Sequence, residues 1–297
     1  MVIKMNDEKI LRLGLPKGSL QEATKIMLEK AGWKIKFGDR SYYPSIDDKE
    51  INCIVLRSQE IPKYVERGII DAGITGYDMI IENHSDVCEV AELIYGKQGL
   101  RPLKWVLVVK NDSPFKTVKD LEGKVIATEA VNITKEYLKK NGVKAQVDFS
   151  WGATEVKLPG LAQGIVEITE TGSTLRANDL KIIDEVLETT TRFIANKDSY
   201  KDKWKKQKID NMALLLKGAV EAEEIVGLKM NLPKDKLKNL ESVTTGAKSP
   251  TISPLDDDEW ISVEVVVKET IVREIIPKLK EIGAEAIIEY PIRKIIH

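Results

Sequence analysis

Short apolar runs alternate with amphipathic stretches along the first two thirds of the chain. ILRLGLP (10–16) has the β-prone character of a strand and ends in a Pro-Lys-Gly turn. In SLQEATKIMLEKAG (19–32), Leu20, Ala23, Ile26, Met27 and Ala31 fall on one helical face, with Ser19 as a cap and Gly32 as a stop. INCIVLR (51–57) reads as a buried strand, EIPKYVERG (60–68) as a short helix stopped by Gly68, IIDAGITG (69–76) as a strand and turn, and YDMIIEN as a helix. KWVLVVK (104–110) is a further strand.

A second series follows. KVIAT (124–128) predicts a strand, and NITKEYLKKNG (132–142) a helix capped by Asn132 and stopped by Gly142. AQVDFSWG (145–152) and GIVEIT (164–169) are strands flanking a short helical region, and RFIAN (192–196) is a return strand. Strands alternating with helices predict an α/β fold with a mainly parallel sheet. After a helical stretch over 197–224 the pattern changes to strand, helix, strand, strand, helix, strand: VGLKMNLP, a helix from Lys234, PTISPL, WISVEVVVK, ETIVREIIPKLKEIG and AEAIIEYPIRKII. That order fits a small ferredoxin-like unit.

Composition narrows the function classes. Across 297 residues, Lys plus Arg number 46 and Asp plus Glu 47, so the balance gives no basic excess for nucleic acid or a membrane surface. No run is long and apolar enough to predict a membrane span. The first 16 residues carry charges where a secretory leader needs an apolar core, and Cys53 and Cys88 have neither disulfide-framework nor metal spacing, so a reduced cytoplasmic setting is expected. With only His84 and His297 present, histidine-based triads and zinc sites are not expected. Walker A and GxGxxG motifs are absent from the sequence.

The chemistry gathers in EITETGSTLRAN (167–178). A strand ending in Thr-Glu-Thr-Gly-Ser-Thr and turning into a helix offers backbone N–H groups, hydroxyl donors from Thr171, Ser173 and Thr174, and a close turn at Gly172, the makings of an anion cradle. Glu167 and Glu170 would repel a phosphate but suit ribose hydroxyls or a phosphate-borne magnesium ion. A sugar phosphate has both features; a capped helix start with surface carboxylates is the plainer alternative. Lys17, in LGLPKGSL, can meet a phosphate as a point charge or simply be solvated. Arg57 closes INCIVLR, and Asp71 precedes Gly-Ile-Thr-Gly, where it either accepts from a ligand or fixes the turn. All of these are expected at carboxyl ends of strands, where α/β sheets bind ligands.

Four stretches, in order, resemble the ATP phosphoribosyltransferase family in its long form: LRLGLPKGSL, LRSQEIPKYVERGIIDAGITGYDMIIE, GATEVKLPGLAQGIVEITETGSTLRANDL, and SPTISPL with LKEIGAEAIIEYPIRKII. The resemblance implies a two-lobed catalytic part similar to type II periplasmic binding proteins, with residues 1–110 and 190–220 as lobe 1 and 111–189 as lobe 2. It implies an ACT-like regulatory domain over 221–297. The implied reaction is attack of N1 of ATP on C1 of 5-phosphoribosyl 1-diphosphate, with Mg2+ required. The resemblance further implies that Glu170, Thr171, Gly172, Ser173 and Thr174 hold the 5-phosphate, that Lys17 meets the diphosphate, and that Glu155 and Glu167 are the catalytic acids. Asp71 and Arg57 would contact ATP. Asn231, Thr251 and Ala286 would contact histidine as feedback inhibitor, and AMP is a further possible ligand. Glu167 stands where the family often has Asp, Gln59 where some members carry Lys, and Gln163 where Asp is frequent. A homo-oligomer, hexamer or dimer, without a separate regulatory subunit is also implied. Two other readings stay open: a non-catalytic two-lobed binding protein, and a regulatory domain that senses another amino acid.

Overall fold

The structure, a computed structural model, describes residues 9–38, 41–96, 99–243 and 250–297. The chain divides into two compact units, 1–214 and 215–297. It runs through β1 (Leu11–Lys17), α1 (Gln21–Ala31), the short pair β2 (Ile35–Lys36) and β3 (Ser45–Ile46), β4 (Ile51–Arg57), α2 (Ile61–Glu66), β5 (Ala72–Gly76), α3 (Tyr77–Glu82) and β6 (Cys88–Leu93). β7 (Leu103–Lys110), β8 (Val125–Thr128), α4 (Val131–Lys140), β9 (Gln146–Phe149), β10 (Gly164–Thr169), α5 (Ser173–Ala177) and β11 (Leu180–Thr189) follow. β12 (Thr191–Ala195) and α6 (Lys203–Glu221), within which the division falls, complete this part.

Two five-stranded sheets make the two lobes of the first unit, ordered β4-β1-β5-β12-β6 and β11-β7-β10-β8-β9. This is the two-lobed α/β architecture of periplasmic-binding-protein type. In each sheet four strands run in one direction and one runs against them: β12, between β5 and β6, in the first, and β7, between β11 and β10, in the second. The expectation of mainly parallel sheets therefore holds for strand direction, and each sheet adds one reversed strand: β7, by which the chain enters the second lobe, and β12, by which it returns to the first.

The crossing point is also corrected. β7 was expected to end lobe 1, but it lies between β11 and β10 in the second sheet, with Trp105 to Val109 buried. A continuous apolar run marks a central strand without saying which sheet it enters. β11 was not anticipated: two register irregularities interrupt its alternation. Its alternation is consequently too broken to read as a strand from periodicity.

Helix α1 is rotated from its expected face. Thr24, Met27, Leu28 and Ala31 are buried whereas Ile26 is exposed, and Ser19 does not cap, since Leu20 takes that position without a side-chain bond. Helix α4 begins after Ala130 rather than at an Asn132 cap; the Asn132 and Ile133 amides instead donate to the Glu82 carboxylate. The expected Gly-Ile-Thr-Gly turn is strand β5, buried from Ala72 to Thr75.

The second unit contains β13 (Ile225–Pro233), α7 (Leu237–Val243), β14 (Thr251–Pro254), β15 (Trp260–Lys268), α8 (Glu269–Glu281) and β16 (Glu285–Pro291). Its strands form an antiparallel sheet in the order β14-β15-β13-β16, the ferredoxin-like arrangement. Alternate residues of β13 and β15, including Leu228, Met230, Val263 and Val265, pack with Val272, Ile275 and Leu279 of α8. On the other face Tyr290 lies over Gly227, where a Cβ would come within 2.1 Å of the ring, so any larger residue would displace the tyrosine.

Candidate functional site

The parallel register of β1 and β4 pairs Lys17 with Arg57, which places two cations at adjacent strand ends. Gly18, at φ +96°, turns the chain away immediately after Lys17, whose ammonium sits 4.5 Å from the Tyr42 ring centroid. Both residues line a cavity of ≈ 240 Å³ whose wall also includes Asp78, Trp105, Glu129 and Ile168. Lys17 and Arg57 come from lobe 1, and Trp105, Glu129 and Ile168 from strands or strand ends of lobe 2. The cavity therefore lies in the cleft.

Next to Ile168, β10 leads into the candidate phosphate loop. Gly172 adopts a left-handed conformation, φ +69°, as the N-cap of α5. Its amide donates to Thr169 Oγ1 at 2.8 Å, and Arg176 Nη1 donates to the Thr171 carbonyl at 3.0 Å, so the turn is closed on itself. A Cβ at position 172 would stand 3.1 Å from Arg176 Nη1. The first-turn amides that follow, including Ser173 and Thr174, lack intrahelical acceptors. Thr171, Ser173 and Thr174 are exposed and Glu170 is half-buried.

The acids converge as well. Glu167, half-buried in β10, has its carboxyl pKa raised. Burial is the main cause, reinforced by the charges of Glu155 and Glu129 and opposed by a hydrogen bond from Thr154. Glu155 sits in the 3-10 turn Thr154–Lys157, entered through Ala153 at φ +45°. The Ser150 and Thr154 hydroxyls lie 3.1 Å apart, and Lys157 Nζ donates to Ser150 Oγ, which braces this turn. Glu129 was not anticipated. It directly follows β8, whose Thr128 pairs with Val166 next to Glu167, and the strand-end rule that singled out Lys17 would have found it. Among the described residues, no three His, Cys, Asp or Glu side chains cluster closely enough to hold a metal ion.

Asp71 does not join the site, which corrects its expected place at a carboxyl strand end. It precedes β5 at the opposite end of the sheet from Lys17 and Arg57, and its side chain is fully buried. Its carboxylate accepts from the Arg12 amide and guanidinium, Ser199 Oγ and Lys205 Nζ at 2.7–3.0 Å. Burial opposes its ionisation, but these donors outweigh it and hold the carboxyl well below the usual range. A carboxylate so enclosed is structural.

In the second unit Asn231 and Thr251 fall on the sheet face away from the helices. Asn231 pairs with Ser262 of β15 on one side and Glu285 of β16 on the other. Thr251 pairs with Glu264, which is opposite Lys229, so it lies two strands across and two residues along from Asn231, about 12 Å away. Ala286, next to Glu285, has φ +48° at the irregularity in β16. The structure thus brings Asn231 and Ala286 together and leaves Thr251 across β15.

Similarity to known proteins follows the same division. The family model described as ATP phosphoribosyltransferase matches residues 57–218, and that described as HisG, C-terminal domain, matches 222–294. An ATP phosphoribosyltransferase of Thermodesulfovibrio yellowstonii is 58 % identical over 97 % of this chain and 99 % of that protein. One from Chlorobium luteolum is 56 % identical over 98 % of this chain and 99 % of its own. A solved ATP phosphoribosyl transferase (HisG:HisZ) complex from Thermotoga maritima is 27 % identical, with a TM-score of 0.60 over 71 % of this chain and 98 % of that one.

Proposed function

Because the chain belongs to the ATP phosphoribosyltransferase family, we propose how its own residues carry out that reaction. Adenine N1 of ATP displaces diphosphate from C1 of 5-phosphoribosyl 1-diphosphate, the first step of histidine biosynthesis. The nucleophile is weak and neutral, and the sugar carbon becomes cationic as diphosphate departs. Catalysis then consists of alignment and of charge placed where charge develops.

The loop Glu170–Thr174 receives the 5-phosphate on the first-turn amides and hydroxyls of α5. Glu167 and Glu155 face the ribose, where they accept from its hydroxyls and offset positive charge at the anomeric carbon; Glu129 adds a third carboxylate. Lys17 and Arg57 take the diphosphate and the ATP phosphates. Mg2+ would neutralise the leaving diphosphate. With no acidic cage among the described residues, the ion would be carried mainly by substrate oxygens and water, as is usual for magnesium.

The second unit is the regulatory part, with histidine recognised at Asn231 and Ala286 and AMP acting as a competitor in the cleft. Thr251 reaches the same ligand only if it spans β15 or comes from another copy in a homo-oligomer, hexamer or dimer. A chain with its own regulatory unit works without a second subunit type, and a cytoplasmic location suits its nucleotide substrates. No helix among the described residues is long and apolar enough to cross a membrane.

The observation that carries the site assignment is the single cavity onto which Lys17, Arg57, Glu129 and Ile168 converge. Its test is the paired variant Ser173→Ala/Thr174→Ala in steady-state kinetics. Each lost hydrogen bond to a charged group is worth about 1.5–3 kcal/mol. With two such bonds lost, the Michaelis constant for phosphoribosyl diphosphate should rise about a hundredfold or more, and that for ATP should change little. Equal rises for both substrates would overturn the loop assignment.

A further inference from the structure

Helix α3 belongs to lobe 1 by chain order, since it continues β5 directly, and its Ile80 and Tyr77 pack with Ile61, Val65 and Ile194 there. Its next residue but one along, Met79, is nevertheless a member of the lobe 2 core, buried with Trp105, Leu107, Ile133 and Tyr137, and Ile81 packs against the same cluster. The two acids of α3 are four residues apart and so share a helix face. Both reach lobe 2. Asp78 Oδ2 accepts from Trp105 Nε1 at 2.8 Å. Glu82 accepts from the Asn132 and Ile133 amides at 2.9–3.0 Å, and Asn132 Nδ2 donates back to the Glu82 carbonyl at 2.8 Å. That places a carboxylate on the amino end of α4, where the helix dipole favours it.

Asp78 also grips the strand link between the lobes. Its Oδ1 accepts from Thr189 Oγ1 at 3.0 Å, and its own amide donates to the same oxygen at 3.0 Å. The Tyr77 amide donates to the Thr190 carbonyl at 2.9 Å. Asp78 is only 5 % exposed, and a Cβ at Gly76 would lie 2.1 Å from its Oδ1, so the carboxylate has one position. Lobes that hinge freely share few packed contacts. Here opening would withdraw Met79 from a core and strand a buried acceptor, which is costly.

We propose that α3 is a staple that fixes the angle between the lobes, and that Asp78 is a positioning residue which sets Trp105 and Thr189, both in the cavity wall, relative to Lys17 and Arg57. This rests on the cleft being the catalytic site. Substrates then enter a cleft already at its working width, and alignment is provided by packing rather than by lobe closure.

Spin labels test the staple in the full chain: Lys36→Cys in lobe 1 and Lys140→Cys in lobe 2, with Cys53→Ala and Cys88→Ala, diluted with unlabelled chain. The interlabel distance should be single and unchanged when ATP, phosphoribosyl diphosphate and Mg2+ are added. Shortening by several ångströms would overturn the staple. Asp78→Asn and Trp105→Phe test the positioning role. Asn presents an N–H where the site needs an acceptor, while Trp105→Phe and Thr189→Val remove the same bonds without touching the buried charge. A misplacement of about 1 Å costs about a hundredfold in rate, so kcat should fall by tenfold or more while the Michaelis constants move far less, and the Asp78→Asn/Trp105→Phe pair should be non-additive. Folded variants with unchanged kcat would contradict the positioning role. The distance measurement needs no turnover, so an inactive wild-type chain would count against the cleft assignment and leave the staple to be judged on distance.

Discussion

Lys17 and Arg57 are register partners at the carboxyl ends of β1 and β4, so their backbones stand one strand spacing apart and both side chains line the cleft cavity. That spacing is about 4.8 Å. Neighbouring like charges are unfavourable unless an anion comes between them, which is the role proposed for the substrates' phosphates. Lys17→Gln or Arg57→Gln should raise the Michaelis constants of the anionic substrates about tenfold or more, on the scale of one lost charged hydrogen bond. The wild-type constants should worsen with added salt more steeply than those of the variants. Identical salt dependence would remove these residues from the phosphate contacts.

Asp71 predicts the opposite pattern. Removing one partner from a buried ion pair costs about 3–5 kcal/mol, so Asp71→Asn should lower the unfolding free energy by that order in denaturant titration. The Michaelis constant for ATP should not change in the folded protein. Since the folded pKa is depressed below the ordinary 3.8, the wild-type contribution is present above that value and is lost as pH falls through the folded pKa. The difference between wild type and variant should shrink only in strong acid. A large ATP effect with little loss of stability would return Asp71 to the nucleotide.

Glu167 runs the other way. Its folded pKa lies above the ordinary 4.5, so folding favours the protonated carboxyl; stability tied to that proton is full below 4.5 and is lost as pH rises through the folded pKa. Glu167→Gln should therefore melt higher than wild type at neutral pH, with the gain fading below pH 4.5. The same change should reduce kcat by about a hundredfold, within the range for loss of one preorganised electrostatic group. A variant that is both active and unstabilised would contradict the role given to this carboxylate.

Asn231 offers a test of the regulatory unit. A carboxylate binds an ammonium more strongly than an amide does. Asn231→Asp should tighten histidine inhibition several-fold and Asn231→Ala weaken it, both leaving kcat without histidine unchanged. Inhibition curves that do not move would place histidine elsewhere.

Local elements were legible because their signals are local. β1, β4, β10, the Gly172 turn and the order of strands and helices in the second unit follow from apolar runs and stop residues. What the sequence concealed depended on partners far along the chain. Gly-Ile-Thr-Gly after Asp71 has turn-like composition, but Arg12 and Lys205, 59 and 134 positions away, bury that carboxylate and β5 fills the sheet centre. β7 has the same apolar run whichever sheet receives it. Glu129 needed only the strand-end rule, whereas the sharing of Met79, Asp78 and Glu82 between lobes is written in no periodicity.

The most direct measurement is turnover by the purified chain with ATP, 5-phosphoribosyl 1-diphosphate and magnesium, followed by the ultraviolet change on alkylation of adenine N1 and by release of diphosphate. The account predicts that both signals appear in equal amounts and that both slow by about a hundredfold with Glu167→Gln. A folded chain that binds the two substrates yet produces neither signal would contradict it.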